Sequence, residues 1–327
     1  MTKKKRFLND IPIYLITVLL GGFVIMQLFI GSKEQLPPPG NQIIIEKTNY
    51  AVKQPEIPSE LNFSGEQVPL DLFDVRESLD RELITNTYFH SSTIQILKLS
   101  ERYFPVIESI LKAHNIPEDF KYLCVIESSL RNVTSPRGAK GFWQFMEKTG
   151  REHGMEINSY VDERYNLEKS TIAACEYLQE AYDKFGSWTL AAASFNMGKS
   201  KLKRRIKEQK ADNYYDLYLN PETARYVYRI LAMKTIMSEH EKYGFHISAK
   251  EKYKPLPAET LVVDTTITDL AGFAFQQGIN YKILKEFNPW LINTYLTNRS
   301  GKEYKILIPR LGVRSCKIPE AETKSGN

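Results

Sequence analysis

Hydrophobic and polar positions change character several times along the chain. Ile11 to Gly31 is a charge-free run rich in Ile, Leu, Val and Phe. Roughly 20 such residues are enough to cross a bilayer as a helix. The run follows Lys3, Lys4, Lys5 and Arg6 and ends Gln27-Leu28-Phe29-Ile30-Gly31-Ser32, with no convincing cleavage site and no cysteine for lipidation. We read residues 11–31 as an uncleaved signal anchor behind a basic cytoplasmic tail of residues 1–10, with a cleaved signal peptide as the alternative. The positive-inside rule then puts everything after Ser32 on the outer side of the membrane. Residues 32–69, with Pro37-Pro38-Pro39-Gly40 and scattered polar residues, read as an extended linker.

From about residue 70 to 245 the pattern becomes that of amphipathic helices. Ile94, Leu97, Leu99, Tyr103, Val106, Ile107, Ile110 and Leu111 keep helical spacing, and Asn115-Ile116-Pro117 stops that helix and starts another. Further helices are expected from about 119 to 129, 166 to 185, 188 to 195 and 222 to 241, with no strand-like alternation between them. The region is therefore nearly all α. Residues 246–258, rich in Lys and Pro, read as a second linker. Residues 259–312 open on a β-branched run, Leu261-Val262-Val263, pass through a helical middle and close on Tyr304-Lys305-Ile306-Leu307-Ile308, which predicts a small α+β module. Residues 313–327 read as a disordered tail.

Composition narrows the class. At 327 residues, with 42% hydrophobic and 25% charged side chains, the chain excludes wholesale disorder and a polytopic membrane protein. Its formal +5 is chiefly a topology signal, because Lys3, Lys4, Lys5 and Arg6 less Asp10 contribute +3 of it. No nucleic-acid partner is indicated. Cys124, Cys175 and Cys316 fit no metal spacing, and His114 and His153 are isolated, so neither a metal site nor a nucleophilic triad is expected. The basic run Lys199 to Arg205 reads as the solvated face of a helix.

The segment 119–129 is the unusual one. Phe120, Tyr122, Leu123, Cys124, Val125 and Ile126 cover nearly its whole circumference, and Glu127 follows on the face of Phe120, Leu123 and Cys124. Desolvation and the negative end of a helix dipole would both keep a carboxyl there protonated. A proton held near neutral pH is what cleavage of a glycosidic bond needs. On spacing alone, a Glu frayed into solvent remains open.

Four segments follow in order: Glu127-Ser128-Ser129-Leu130; Ser135-Pro136-Arg137-Gly138-Ala139-Lys140-Gly141-Phe142-Trp143-Gln144; Ala193-Ser194-Phe195-Asn196-Met197-Gly198; and Glu222-Thr223-Ala224-Arg225-Tyr226-Val227. This ordered set resembles the lytic transglycosylases with the soluble-transglycosylase, goose-lysozyme-like fold, most nearly the membrane-bound murein type D. The resemblance implies a mainly α, lysozyme-like catalytic domain with Glu127 as sole catalytic acid and base, and Ser128 as its neighbouring support. Gly141 and Gln144 would line the cleft, Asn196 would hold its wall or contact glycan, and Tyr226 would sit close to the acid. Trp143 stands at the family's Met position, from which it would stack on a sugar face, with core packing as the alternative for it and for Tyr226. Phe195 replaces the usual tyrosine and reads as core.

The resemblance further implies a reaction on peptidoglycan glycan strands that needs no metal, cofactor or second enzyme carboxylate, although Glu147, Asp162 and Glu163 are available by sequence. Glu127 would protonate a MurNAc–GlcNAc linkage, and the MurNAc C6 hydroxyl would close a 1,6-anhydro ring. A lysozyme-like hydrolase on the same fold and an inactive glycan-binding protein stand as alternatives. Leu261-Val262-Val263, Thr268-Asp269-Leu270-Ala271, Gly278-Ile279, Leu284, Phe287-Asn288 and Ile306-Leu307-Ile308-Pro309 are similar to a LysM module, with a longer stretch than usual between Asn288 and Pro309.

Overall fold

The computed structural model describes residues 52–310 and 312–314. The basic tail, the expected anchor of residues 11–31 and nearly all of the expected C-terminal tail lie outside the described residues. Among the described residues, no helix is long and apolar enough to cross a membrane.

The body is mainly helical. Its helices are Phe73–Tyr88 (α1), His90–Ala113 (α2), Phe120–Ser128 (α3), Glu147–Glu152 (α4), Leu167–Phe185 (α5), Trp188–Met197 (α6), Lys199–Gln209 (α7) and Pro221–Ser238 (α8). Their ends follow from local chemistry. Asn166, Ser187 and Asn220 accept from backbone N–H groups in the first turns of α5, α6 and α8, and Pro221 opens α8 where no intrahelical donor is needed. Gly186 stops α5 at φ 65°, a conformation that favours glycine. Leu190 to Ser194 of α6 are all buried, and the small side chains Ala191, Ala192 and Ala193 let α5 and α8 come close on either side.

The linker expected up to residue 69 is not free chain over its described part. Asn62–Phe63 (β1) and Glu66–Gln67 (β2) pair as an antiparallel hairpin around Ser64 (φ 55°) and Gly65 (φ 86°). Phe63 is fully buried and meets Phe120 edge to face at 5.2 Å. Glu66 accepts from Ser187 Oγ and Thr189 N, both at 2.9 Å, and from Trp188 N and Thr189 Oγ1, so one carboxylate satisfies the open donors at the start of α6. The expected second linker is also laid down. Tyr253 N donates to Lys98 O and Arg102 Nε to Lys254 O, with the Lys98 and Arg102 cations over the Tyr253 ring.

The C-terminal module runs strand Ala258–Val263 (β3), helices Leu270–Gln276 (α9) and Tyr281–Phe287 (α10), and strand Tyr304–Pro309 (β4). The strands are antiparallel, in register from Ala258 opposite Pro309 to Val263 opposite Tyr304. Asn288, fully buried, donates to Leu284 O and Leu307 O and accepts from Leu307 N, which ties the end of α10 to β4. The module has its own core of Leu270, Ala274, Leu284, Trp290, Leu291, Leu296, Tyr304 and Ile306, to which the helical body adds Val161.

Candidate active site

Phe120, Leu123 and Cys124 of α3 are wholly buried, as the helical spacing predicts, so the helix is fixed in depth and rotation. It ends abruptly. Ser129 (φ 53°) and Leu130 (φ 56°) are both left-handed, and Ser129 N donates to Val125 O at 2.8 Å. Two consecutive non-glycine residues in that region cost about 1–2 kcal/mol each. Burial of Leu130, 1% exposed, holds the turn. The chain therefore swings away directly after Ser128 and leaves the Glu127 carboxyl at the end of α3, against α8.

On α8, Glu222, Tyr226 and Arg229 share one face at i, i+4 and i+7. Tyr226, 1% exposed, donates its phenol proton to Glu127 Oε1. Arg229 Nη2 donates to Ile126 O at 3.0 Å, at the carbonyl end of α3. Glu127 keeps part of its surface open to solvent, yet protein atoms crowd its carboxyl. Desolvation is the largest influence and pushes its pKa up to about 7, against the Tyr226 hydrogen bond and the Arg229 charge, which pull it down; the Glu222 charge pushes in the same direction as burial. Burial, then the Glu127 charge, holds the Tyr226 phenol well above its ordinary value, so it stays a donor.

Asn196, at the end of α6, bridges to the start of α8. Its Oδ1 accepts from Thr223 Oγ1 at 2.6 Å and its Nδ2 donates to Glu222 Oε1 at 3.2 Å. Arg137 reaches Glu222 Oε2 at 3.7 Å from the loop 132–145. Within that loop Gly141 sits at φ 82°, and a Cβ there would lie 1.8 Å from the carbonyl oxygen of Arg164. Gln144, also left-handed at φ 51°, donates to Gly141 O at 2.7 Å and Val133 O at 3.0 Å, so its amide clamps the loop on itself.

One expected substrate contact is buried instead. Trp143 is fully buried, and its indole N–H donates to Thr171 Oγ1 at 2.9 Å; with no face exposed it is a core residue, not a sugar platform. Ser128 is buried and its hydroxyl donates to Cys124 O at 3.2 Å on its own helix, so it braces the end of α3 beside Glu127. Phe195 packs among Phe145, Tyr177 and Trp143, with ring centroids 5.2 to 6.2 Å away, in the core role expected for it. Of the carboxylates the sequence offers as a second group, Asp162 is chelated by Arg164, Glu163 accepts from Glu156 N, and Glu147 pairs with Arg151 on α4. Arg229 and Arg137 were not anticipated. Arg229 is legible in hindsight from its i+3 spacing after Tyr226, whereas nothing local marks Arg137.

The mainly helical body thus brings Glu127, Tyr226, Arg229, Glu222 and Asn196 together at the end of one buried helix, and a small sheet module follows it. Residues 105–218 match the family model of the transglycosylase SLT domain, and residues 259–312 match that of the soluble lytic transglycosylase C-terminal LysM-like domain. The two matches follow one another in that order along the chain. It is 28% identical over 257 residues to the membrane-bound lytic murein transglycosylase D of Escherichia coli K12, and equally so to that of strain CFT073; the match covers 76% of this chain and 55% of each relative. The chain thus spans about half the length of these relatives. A solved structure of the 70 kDa soluble lytic transglycosylase SLT70 from E. coli aligns with a TM-score of 0.39 at 17% identity, over 54% of this chain and 33% of that one.

Proposed function

We propose that this protein is a peptidoglycan lytic transglycosylase that cleaves the MurNAc–GlcNAc β-1,4 bond without adding water. The observation that carries the proposal is the Glu127 carboxyl, desolvated until it holds its proton to about pH 7 and bonded to Tyr226. Glu127 gives that proton to the glycosidic oxygen, and the GlcNAc departs with its hydroxyl restored. The substrate's N-acetyl group stabilises the positive charge at C1. Glu127, now a carboxylate, takes the proton of the MurNAc C6 hydroxyl while that oxygen bonds to C1. The product is a 1,6-anhydro ring, and Glu127 is again protonated. One carboxyl serves as acid and then base, which a group with a pKa near neutrality does at small cost in either direction. Tyr226 keeps the carboxyl oriented in both states, and Arg229 lessens the repulsion between the carboxylate and the carbonyl end of α3.

The SLT domain and the names of the E. coli relatives favour this chemistry over hydrolysis or a purely binding role. Gly141, Gln144 and Asn196 shape the cleft in this reading. We further propose that residues 11–31 anchor the enzyme in the inner membrane with the catalytic domain in the periplasm, supported by the cations before that run and by the membrane-bound relatives. The test is mass spectrometry of purified murein digested by the protein beginning after Ser32. Fragments ending in 1,6-anhydroMurNAc are expected, and reducing MurNAc ends alone would make the enzyme a hydrolase. Glu127→Gln is expected to lower turnover by at least ~10²–10⁴-fold while leaving the fold intact.

A further inference from the structure

The LysM-like module is fastened to one segment of the catalytic domain, residues 156–165. Val161 pairs with Leu291 as an antiparallel bridge, Asp162 N donates to Trp290 O and Ile292 N to Tyr160 O, each at 2.9 Å. Val161 is fully buried as part of the module's core, and Tyr165 packs against that core. Lys302 of the module donates to Glu156 and, at 3.4 Å, to Glu163, and the Tyr304 hydroxyl donates to Glu156 at 3.0 Å. Trp290, Leu291, Ile292 and Asn293 supply the backbone and side-chain contacts. They belong to the stretch after Asn288 that is longer than the LysM resemblance leads one to expect.

The other side of the same segment carries the cleft loop. Arg164 chelates Asp162 through Nε (2.8 Å) and Nη2 (2.7 Å), and both residues are buried. Arg164 Nη1 also donates to Gly138 O and Phe145 O at 3.3 Å, Lys140 reaches Asp162 Oδ2 at 3.2 Å, and Asn132 donates to Tyr165 O at 2.7 Å. Gly141 rests on the Arg164 carbonyl. The loop thus hangs from residues 162–165 at both ends and in the middle. From its tip, Arg137 reaches Glu222, whose charge acts on Glu127.

We propose that the LysM-like module is a positioning element of the catalytic site, acting through Lys302 and Tyr304 on Glu156 and Glu163 to hold the loop 132–145 against the cleft. This rests on the transglycosylase reading above. Lys302 and Glu156 are positioning residues, since neither touches the reacting atoms. Undocking the module would expose Val161 and strip the Lys302 cation from two neighbouring carboxylates, Glu156 and Glu163. Repulsion between these would then loosen the segment from which the loop hangs.

The test uses the chain beginning after Ser32, with Lys302→Glu, the swapped pair Glu156→Lys/Lys302→Glu, and Tyr304→Phe, which keeps the ring stacked on Trp290. Murein cleavage and hydrogen exchange of the amides of residues 132–145 are measured for each, with thermal unfolding to confirm the fold. Lys302→Glu is expected to lower kcat/KM about tenfold and to speed exchange in the loop, the swapped pair to recover most of both, and Tyr304→Phe to show a smaller loss in the same direction. A folded Lys302→Glu protein that cleaves at the wild-type rate with unchanged loop exchange overturns the proposal, and so does a loss that the swapped pair fails to recover. If the wild-type protein itself releases no anhydro ends, it is the catalytic reading that fails, and loop exchange alone then decides whether the module positions the loop.

Discussion

Replacing Glu127 by Gln should make the protein more stable as well as inactive, and only above a definite pH. A carboxyl whose pKa rises from 4.5 to about 7 on folding binds its proton more tightly in the folded than in the unfolded chain. Between those values the folded state holds more protons, so stability falls as pH rises, and the loss is complete above pH 7. At 1.36 kcal/mol per pKa unit the penalty reaches about 3 kcal/mol. Gln keeps the shape and an oxygen that accepts from Tyr226, and it escapes the penalty because it carries no charge. Desolvating its amide hydrogens offsets part of the gain, so a net stabilisation of about 1–3 kcal/mol at pH 8 is expected. Urea unfolding of both proteins from pH 4 to pH 8 measures it. The two stability curves should converge near pH 4 and separate as pH rises. Parallel curves over that range would refute the desolvation of Glu127 and, with it, the physical basis of its role as acid. The gain would also locate a cost of function, since the wild-type chain retains a group that destabilises it at working pH.

Other outcomes follow from the same geometry. Tyr226→Phe removes the hydrogen bond that lowers the Glu127 pKa, so the alkaline limb of the pH–rate profile should move to higher pH while the rate at its plateau drops. Gly141→Ala forces a Cβ into the Arg164 carbonyl at a left-handed position and should cost several kcal/mol, about 3 or more, in unfolding free energy, with loss of cleavage. Trp143→Phe should cost about 1–3 kcal/mol in stability with KM for murein unchanged; a large rise in KM without a stability loss would return Trp143 to the substrate. Cleavage by the wild-type enzyme should decline as pH rises through about 7, because the first step needs the protonated acid.

The end of α3 shows how far sequence reasoning reaches. A helix apolar nearly all round with an acid at its end is visible from spacing, but spacing left open whether that acid is buried or frays into solvent; only the fold brings Tyr226 against it. Which way a loop side chain turns is not written in that pattern. Trp143 lies between Gly141 and Gln144, both left-handed, and is fully buried, so of the two readings its residue type allowed, sugar stacking and core, the structure shows core. The hairpin at 62–67 escaped for another reason. Its strands are two residues long and Phe63 is their one buried side chain, too little for any period to register, although Ser64-Gly65 is a recognisable turn pair. Arg137 could not be placed at all, since it meets Glu222 across 85 positions that only the tertiary fold brings together.

The hairpin also redraws where the catalytic domain begins. Glu66 holds the first turn of the helix that carries Asn196 near its end, and Phe63 fills the core against Phe120, seven residues before Glu127. A chain trimmed to start at residue 70, as the run of prolines and polar residues invites, would therefore discard a cap and a core aromatic along with the tether. Contacts of the helical body with the preceding chain reach back to residue 53, whose backbone N–H donates to the Tyr88 hydroxyl at 2.8 Å.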